Sequence, residues 1–372
     1  MPADQAARSV NNLPGLDYRA EAARLGPPVT PIIDAHSHIN GEKAVRVYLE
    51  ARRLYGVTLT YTQTRIDQAD AIREAMGGTA RFVAVPRWQD KDLGRSHTHG
   101  YLDDLAVWRE RFGARMAKFW TAPRIREIAR EHLGDVNALN LDSEWRVRQM
   151  QRATDLGMMI MAHIADPDTR FATRYADSAT FLAKKDHYLA VERLADRFTQ
   201  PWLVAHMGGW PENLPFLDGL LTRHPNLHLD TSATKWMVRE LSKHPREEML
   251  AFLEKHRGRI FFGSDIVTTD DHLREKSEAE MRTPAARYLA LASSEAAAFD
   301  LYASRYWALR TMFETAHDGD SPIADEDLRM TDPARYNEWS SPRLRGFALP
   351  EGLLRVLYRE ACEDVLEKWW AS

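Results

Sequence analysis

Ile32-Ile33-Asp34-Ala35-His36-Ser37-His38 is a short apolar run that ends in two histidines one residue apart. On a β-strand, residues i and i+2 share a face, so His36 and His38 turn their imidazoles toward one point, as a pair of metal ligands would. A lone His-x-His also occurs at the start of ordinary polar loops. Three further apolar runs, however, end in a ligand-type residue: Met158-Met159-Ile160-Met161-Ala162-His163, Trp202-Leu203-Val204-Ala205-His206 and Ile260-Phe261-Phe262-Gly263-Ser264-Asp265. A buried, hydrogen-bonded side chain would account for any one of them. Together they point to parallel strands whose C-terminal ends share one face and gather these side chains from distant parts of the chain.

Outward from these four, the chain alternates short apolar runs with helix-patterned segments. Eight runs are read: 31–35, 57–61, 82–86, 115–120, 158–162, 202–205, 227–231 and 260–263. Between them, 43–55, 68–76, 102–111, 143–156, 187–198, 214–224 and 235–256 carry apolar residues at helical spacing, with Pro245 expected to break or kink the last. Gly56, Gly113, Gly157 and Gly258 read as helix ends, and Asp142 as the N-cap of the fourth helix. Eight strand–helix repeats predict a (β/α)8 TIM barrel, because parallel neighbours need crossover helices. The alternative is an open doubly wound sheet. Ligands on the first and eighth runs favour closure, which makes those runs neighbours. Residues 1–30 read as a polar N-terminal leader and 31–372 as one barrel domain with a helical C-terminal extension: helix over 289–315, loop over 316–348, helix again over 350–370. Loops 87–100 and 165–185 are expected to project from the catalytic face.

Composition bounds the function. With 372 residues, 44% of them hydrophobic, the chain can bury a large core, and a net charge of −4 without a basic stripe argues against nucleic acid. No apolar run approaches a membrane span, and the N-terminus lacks a secretory core. The single cysteine, Cys362, excludes an internal disulfide and fits a reducing compartment, so the cytoplasm is expected.

With Asp34-Ala35-His36-Ser37-His38, Ala162-His163, Ala205-His206-Met207-Gly208-Gly209, Phe262-Gly263-Ser264-Asp265 and Leu357-Tyr358-Arg359-Glu360 in order, the chain resembles the amidohydrolase superfamily. The branch it resembles is that of proteins similar to aminocarboxymuconate-semialdehyde decarboxylase. The resemblance implies one divalent metal on His36, His38, His163 and Asp265, and an acid–base or electrostatic role for His206. Three imidazoles and a carboxylate suit zinc, with manganese or iron as alternatives. Such an ion lowers the pKa of bound water to about 7, and Asp265 can take the proton of that water. Relatives in this branch often form dimers, so the resemblance allows a homodimer without fixing the oligomeric state. Three departures stand out. Lys118 lies near the end of the fourth run, where some members bridge two metals through a carboxylated lysine and others carry a lysine that binds no metal; the alternative for this chain is an ammonium that contacts a carboxylate on substrate or protein. Ala361-Cys362 replaces a frequent Asn-Ala. Ile266-Val267 follows Asp265 where proline is frequent.

Among other candidates, Arg87, Arg170 and Arg174 lie in or beside the catalytic-face loops, where an arginine fork suits a substrate carboxylate. Arg170 is preferred, and Lys118 and Arg87 are kept as further substrate-binding candidates. His97 and His99 form a second His-x-His, read as solvated loop beside Gly94 and Gly100. Asp230 can face the pocket or hold a loop, Gly208 and Gly209 permit close approach to a ligand, and Trp120 and Trp210 can wall the pocket. The expected activity is hydrolysis of an amide or lactone of a small carboxylated or aromatic substrate by metal-activated water. Decarboxylation of an aromatic or unsaturated acid is the runner-up, and a non-catalytic ligand-binding barrel the third reading.

Overall fold

The computed structural model describes residues 9–277, 280 and 292–372. Eight strands form where the apolar runs predict them: β1 (Ile32–His38), β2 (Val57–Thr62), β3 (Ala80–Ala84), β4 (Met116–Trp120), β5 (Met159–His163), β6 (Trp202–Val204), β7 (Leu227–Asp230) and β8 (Ile260–Phe261); a ninth, β9 (Ile266–Val267), forms beyond the eighth run, where none was predicted. All pair in parallel, each with the next in chain order from β1 to β8, and β9 pairs with β1. β8 lies in the eighth run and β9 just beyond it, the two parted at Phe262–Asp265. The parting closes the sheet. Ala35 N–H donates to Phe262 C=O, and Asp265 N–H to His36 C=O, each at 2.8 Å. The architecture is a closed (β/α)8 barrel rather than an open sheet.

The barrel interior is filled by Ile33, Ala35, Tyr61, Val83, Met116, Met159, Met161, Leu203 and Phe261. Ile32 instead packs with the outer layer of helices. Strict alternation from Ile33 and Ala35 would therefore turn His36 outward. The β1–β2 register shifts between Asp34 and Ser37, and such an irregularity re-aims a side chain. His36 consequently reaches Lys118 of β4 across the barrel.

Helices cover the outside at Ala44–Leu54, Ala69–Met76, His99–Phe112, Ile125–Leu133, Glu144–Asp155, Lys184–Arg197, Leu214–Arg223, Thr234–Leu241 and Arg246–Lys255. The last two replace the single predicted helix over 235–256, with Pro245 at their break. Several expectations need correction. The N-cap of the fourth predicted helix is Ser143, which accepts from Arg146 N–H, while Asp142 pairs with Arg193. Ile125–Leu133 was not predicted. Residues 93–97 and 99–112 are helical, so His97 and His99 do not lie in a solvated loop; His97 is fully buried. Gly94 and Gly100 sit there because a Cβ on either would come within 2.8 Å of a backbone oxygen, that of His132 or Arg95. The leader contains a helix, Tyr18–Leu25, whose Tyr18 is buried and meets Trp307 edge to face; residues 1–8 lie outside the described residues.

In the C-terminal region a helix runs over Glu295–Glu314, residues 289–291 of the predicted one lying outside the described residues. The stretch read as loop holds an antiparallel strand pair, Asp318–Asp320 with Arg343–Arg345, and between them a short helix, Glu326–Thr331. The final helical stretch crosses the N-terminal ends of the strands: Trp369 Nε1 donates to Gly157 C=O just before β5, and Glu367 pairs with Arg81 of β3. Val356, Ala361, Cys362 and Leu366 plug the barrel from that end. Cys362 is therefore a buried packing residue remote from the opposite face. No helix among the described residues is long and apolar enough to cross a membrane.

Candidate active site

At the C-terminal ends of the strands lies a cavity of about 550 Å³, lined among others by His36, His38, Lys118, His163, Arg170, His206 and Asp265. His38 Nε2 stands 3.1 Å and His36 Nε2 3.5 Å from Asp265 Oδ1. One donor atom from each of the three lies within 4.8 Å of the others. Asp265 adopts a left-handed backbone, φ 59°, at the parting between β8 and β9. His206 does the same just beyond β6, with φ 60°. Non-glycine residues held in this region cost of order 1–3 kcal/mol each, and such strain concentrates at functional sites.

Hydrogen bonds behind the imidazoles set their tautomers. His36 Nδ1 donates to Asp230 Oδ2 at 2.9 Å, leaving Nε2 bare toward Asp265. Ser232 Oγ–H donates to Asp230, so Ser232 accepts from His206 Nδ1 at 2.7 Å and His206 Nε2 is also bare. Asp230 Oδ1 further holds the His206 backbone N–H at 2.8 Å. Asp230 thus orients two histidines from behind instead of lining the cavity. A second trio, His36, His206 and Asp230, also lies close enough for an ion, but its atoms are spent on these hydrogen bonds. His163 Nε2 donates to Asp166 Oδ1 at 2.7 Å, and Tyr175 O–H donates to the other oxygen at 2.7 Å. That leaves Nδ1 as the free nitrogen of His163, which stands outside the His36–His38–Asp265 trio.

The electrostatics follow the burial. His36 is pulled below the usual imidazole range, first by burial and then by the Lys118 charge. Burial and the neighbouring His163 hold His206 well below it. Both are neutral and able to donate a lone pair. Burial pushes the Asp265 carboxyl up, but the His38 hydrogen bond and the surrounding imidazoles outweigh it and hold the group far below the carboxylate range. Asp230 is likewise kept ionised by His36 and His206 against its burial. The His36 and His38 imidazoles converging on an ionised carboxylate match the donor set of a divalent transition ion, and a carboxylate behind a ligating histidine is the usual support for one. The residues fit the group.

Lys118 Nζ lies 3.4 Å from His36 Nε2, and burial draws its pKa down to about 8 against the pull of Asp265 and Asp230. Arg170 lines the cavity, but its fork is engaged: Nη2 is 2.8 Å and Nε 3.1 Å from the Asp327 carboxylate. Arg87 does not line it. Its guanidinium makes two 2.8 Å bonds to Asp104, whereas the adjacent Trp88 does face the cavity. Arg174 makes only a 3.9 Å approach to Glu127. Trp120 is a wall residue, while Trp210 stacks on Tyr188 away from the cavity. Gly209 makes its close approach to backbone rather than to a ligand, since a Cβ there would lie 2.2 Å from Ala165 C=O. Sequence reasoning missed Gln63, Trp88, Arg124, Trp236 and Asp327 in the wall, and Asp166 and Ser232 behind it. The last two were within reach, each lying two or three residues beyond a strand end.

The amidohydrolase family model matches residues 21–301, well over half of the chain. The chain belongs to the amidohydrolase family, and it is a metal-dependent enzyme of that superfamily, whose members are hydrolases or carboxy-lyases. No curated protein matches it. Among solved structures it is similar to a zinc-bound amidohydrolase from Burkholderia multivorans, at 13% identity and TM-score 0.43 over 90% of this chain and 99% of that one. It is also similar to 5-carboxyvanillate decarboxylase from Sphingomonas paucimobilis, at 11% identity and TM-score 0.39 over 75% and 98%.

Proposed function

We propose that this enzyme hydrolyses the amide or lactone carbonyl of a small carboxylated or aromatic substrate, with one divalent ion held by His36, His38, His163 and Asp265. Zinc comes first for this donor set, with manganese and iron as alternatives. The observation that carries the reading is the ionised Asp265 oxygen facing the Nε2 atoms of both His36 and His38, at 3.5 and 3.1 Å. A divalent ion supplies Lewis acidity there, lowering the pKa of a water and polarising a carbonyl. Asp265 accepts the proton of the attacking water and returns it to the leaving nitrogen or oxygen as the C–N or C–O bond breaks. His206, neutral and with Nδ1 tied to Ser232, offers Nε2 to hold or relay that proton. The cytoplasm fits a chain whose one cysteine is buried and unpaired.

One feature favours a second reaction: Trp88, Trp120 and Trp236 all line the cavity, walls suited to a flat unsaturated ring. Decarboxylation of an aromatic acid in the same site is that alternative. Zinc- and manganese-loaded protein, supplied with lactones, anilides and hydroxybenzoates in oxygen-18-labelled water, separates the two. Label entering a carboxylate product supports hydrolysis. Release of CO₂ without oxygen label in the organic product, which gains only a solvent proton on the carbon that lost it, replaces it with the lyase. Tight metal binding with neither reaction across a broad panel overturns both.

A further inference from the structure

The walls of the cavity are electrically unequal. Among the described residues, all the carboxylates lining it outside the His–Asp trio, Asp325, Glu326 and Asp327, belong to the C-terminal region. On that side Arg170 is neutralised by Asp327. The opposite arc is built by residues at the ends of β2 and β4 and in the segments that follow β2, β3 and β4. Among the described residues, no carboxylate from this arc lines the cavity.

Two polar side chains there have little to satisfy them. Gln63, whose backbone N–H is fixed on Ser37 C=O at 2.8 Å, is 5% exposed, and its Nε2 has no hydrogen-bond partner among the described residues. A buried amide left in that state costs free energy comparable to a lost hydrogen bond. Among the described residues Arg124 meets an acid only at 3.8 Å, the Glu127 of its own helical turn, with both side chains about half exposed. Such a pair contributes little. Between these positions Trp88 and Trp120 pack edge to face at 5.1 Å and both face the cavity.

We propose that this arc is an anion subsite. A flat unsaturated or aromatic ligand lies against Trp88 and Trp120. Arg124 receives a carboxylate remote from the reacting group, and the Gln63 amide N–H donates to an oxygen of the same ligand. A guanidinium fork matches a carboxylate in geometry and charge, and Gln63 gains the partner it lacks. The substrate is then an acid with two separated polar ends. This rests on the cavity being the active site, but not on which reaction occurs there.

The test is binding without turnover. Benzene-1,3-dicarboxylate and benzoate are titrated into the zinc-loaded full chain, with tryptophan fluorescence and calorimetry as readouts. The variants are Arg124→Gln and Gln63→Leu, with circular dichroism and Tm confirming that each folds. The dicarboxylate is expected to bind the native chain about tenfold more tightly than benzoate, as one charge-assisted bond would give. Arg124→Gln should remove that advantage and leave benzoate within about twofold. Gln63→Leu should weaken the dicarboxylate several-fold. Equal affinities for the two acids in the native chain, or equal losses for both in Arg124→Gln, overturn the subsite. An unchanged Gln63→Leu overturns the part assigned to Gln63 and leaves a buried water as its partner. If this pattern holds in a chain that neither hydrolyses nor decarboxylates, the subsite stands and the proposed reaction falls. Turnover of neutral substrates unaffected by Arg124→Gln, with no dicarboxylate preference, does the reverse.

Discussion

The Asp230 carboxylate stands behind both His36 and His206, bonding His36 Nδ1 with one oxygen and the His206 backbone N–H with the other. One buried side chain thereby sets the tautomer of a metal-ligand candidate and the position of an acid–base candidate. Asp230→Asn offers His36 an amide that can donate where the carboxylate only accepts. Metal affinity is expected to fall about 10–100-fold, read by competition with a chromogenic chelator. Unchanged affinity would show that His36 is not ordered through Asp230.

His206 sits beside the trio rather than in it, and its Nδ1 is tied to Ser232. In His206→Asn, one metal per chain should be retained while turnover drops by about 10²–10⁴. Elemental analysis and kinetics on the same preparation check both. Loss of the metal would make His206 a ligand.

Asp265 combines a metal-facing oxygen with the proton-accepting role. Asp265→Ala should lose stoichiometric metal and activity together. A variant that keeps full activity would sink the mechanism given above.

His97 is buried against Trp88 at a ring separation of 4.3 Å, and its pKa is drawn down to about 3 by burial and by the nearby Arg146 and His132 charges. The unfolded chain takes up a proton there near pH 6.5 and the folded chain does not. Stability is therefore undiminished above about pH 6.5 and lost as pH falls from there toward 3. At pH 5 the loss amounts to about 2 kcal/mol. His97→Phe should flatten this acid limb, visible as a smaller fall in Tm between pH 7 and pH 5 than in the native chain. Parallel curves for the two proteins would refute the assignment.

Asp327 receives Arg170, Arg239 and the Trp236 indole while itself fully buried. Asp327→Ala leaves two guanidinium groups short of a partner and is expected to destabilise the fold by about 3–5 kcal/mol. Denaturant unfolding measures it. A change below about 1 kcal/mol would mean that Asp325 and Glu240 suffice.

The strands and the residues at their ends were legible because parallel strands convert a one-dimensional pattern, an apolar run followed by a ligand, into a shared location. His36, His38, His163, His206 and Asp265 all line the cavity for that reason. The reading failed where no such conversion exists. Arg87 and Trp88 are adjacent in the same loop, and only the fold shows that a helix presents Asp104 to the first while the second turns inward. Asp327 reaches the cavity from a stretch with no periodic signal, across a separation of 157 positions from Arg170. Gly94 and Gly100 imitate loop punctuation, although they answer to helix contacts that a Cβ would block.

The parting of β8 from β9 at Phe262–Asp265 has a consequence for how the chain holds together. Asp34 accepts from Ser264 N–H and Oγ across 230 positions of sequence, and Asp265 faces His36 and His38 at the same place. An ion seated on those three side chains is a clasp joining the first barrel strand to the last. Bridging so long a loop removes much of the freedom of the open chain, so the clasp acts on the integrity of the whole ring as well as on chemistry. Stripping the ion should speed amide exchange first along β1 and β9, at the seam, while β4 and β5 on the far side stay protected.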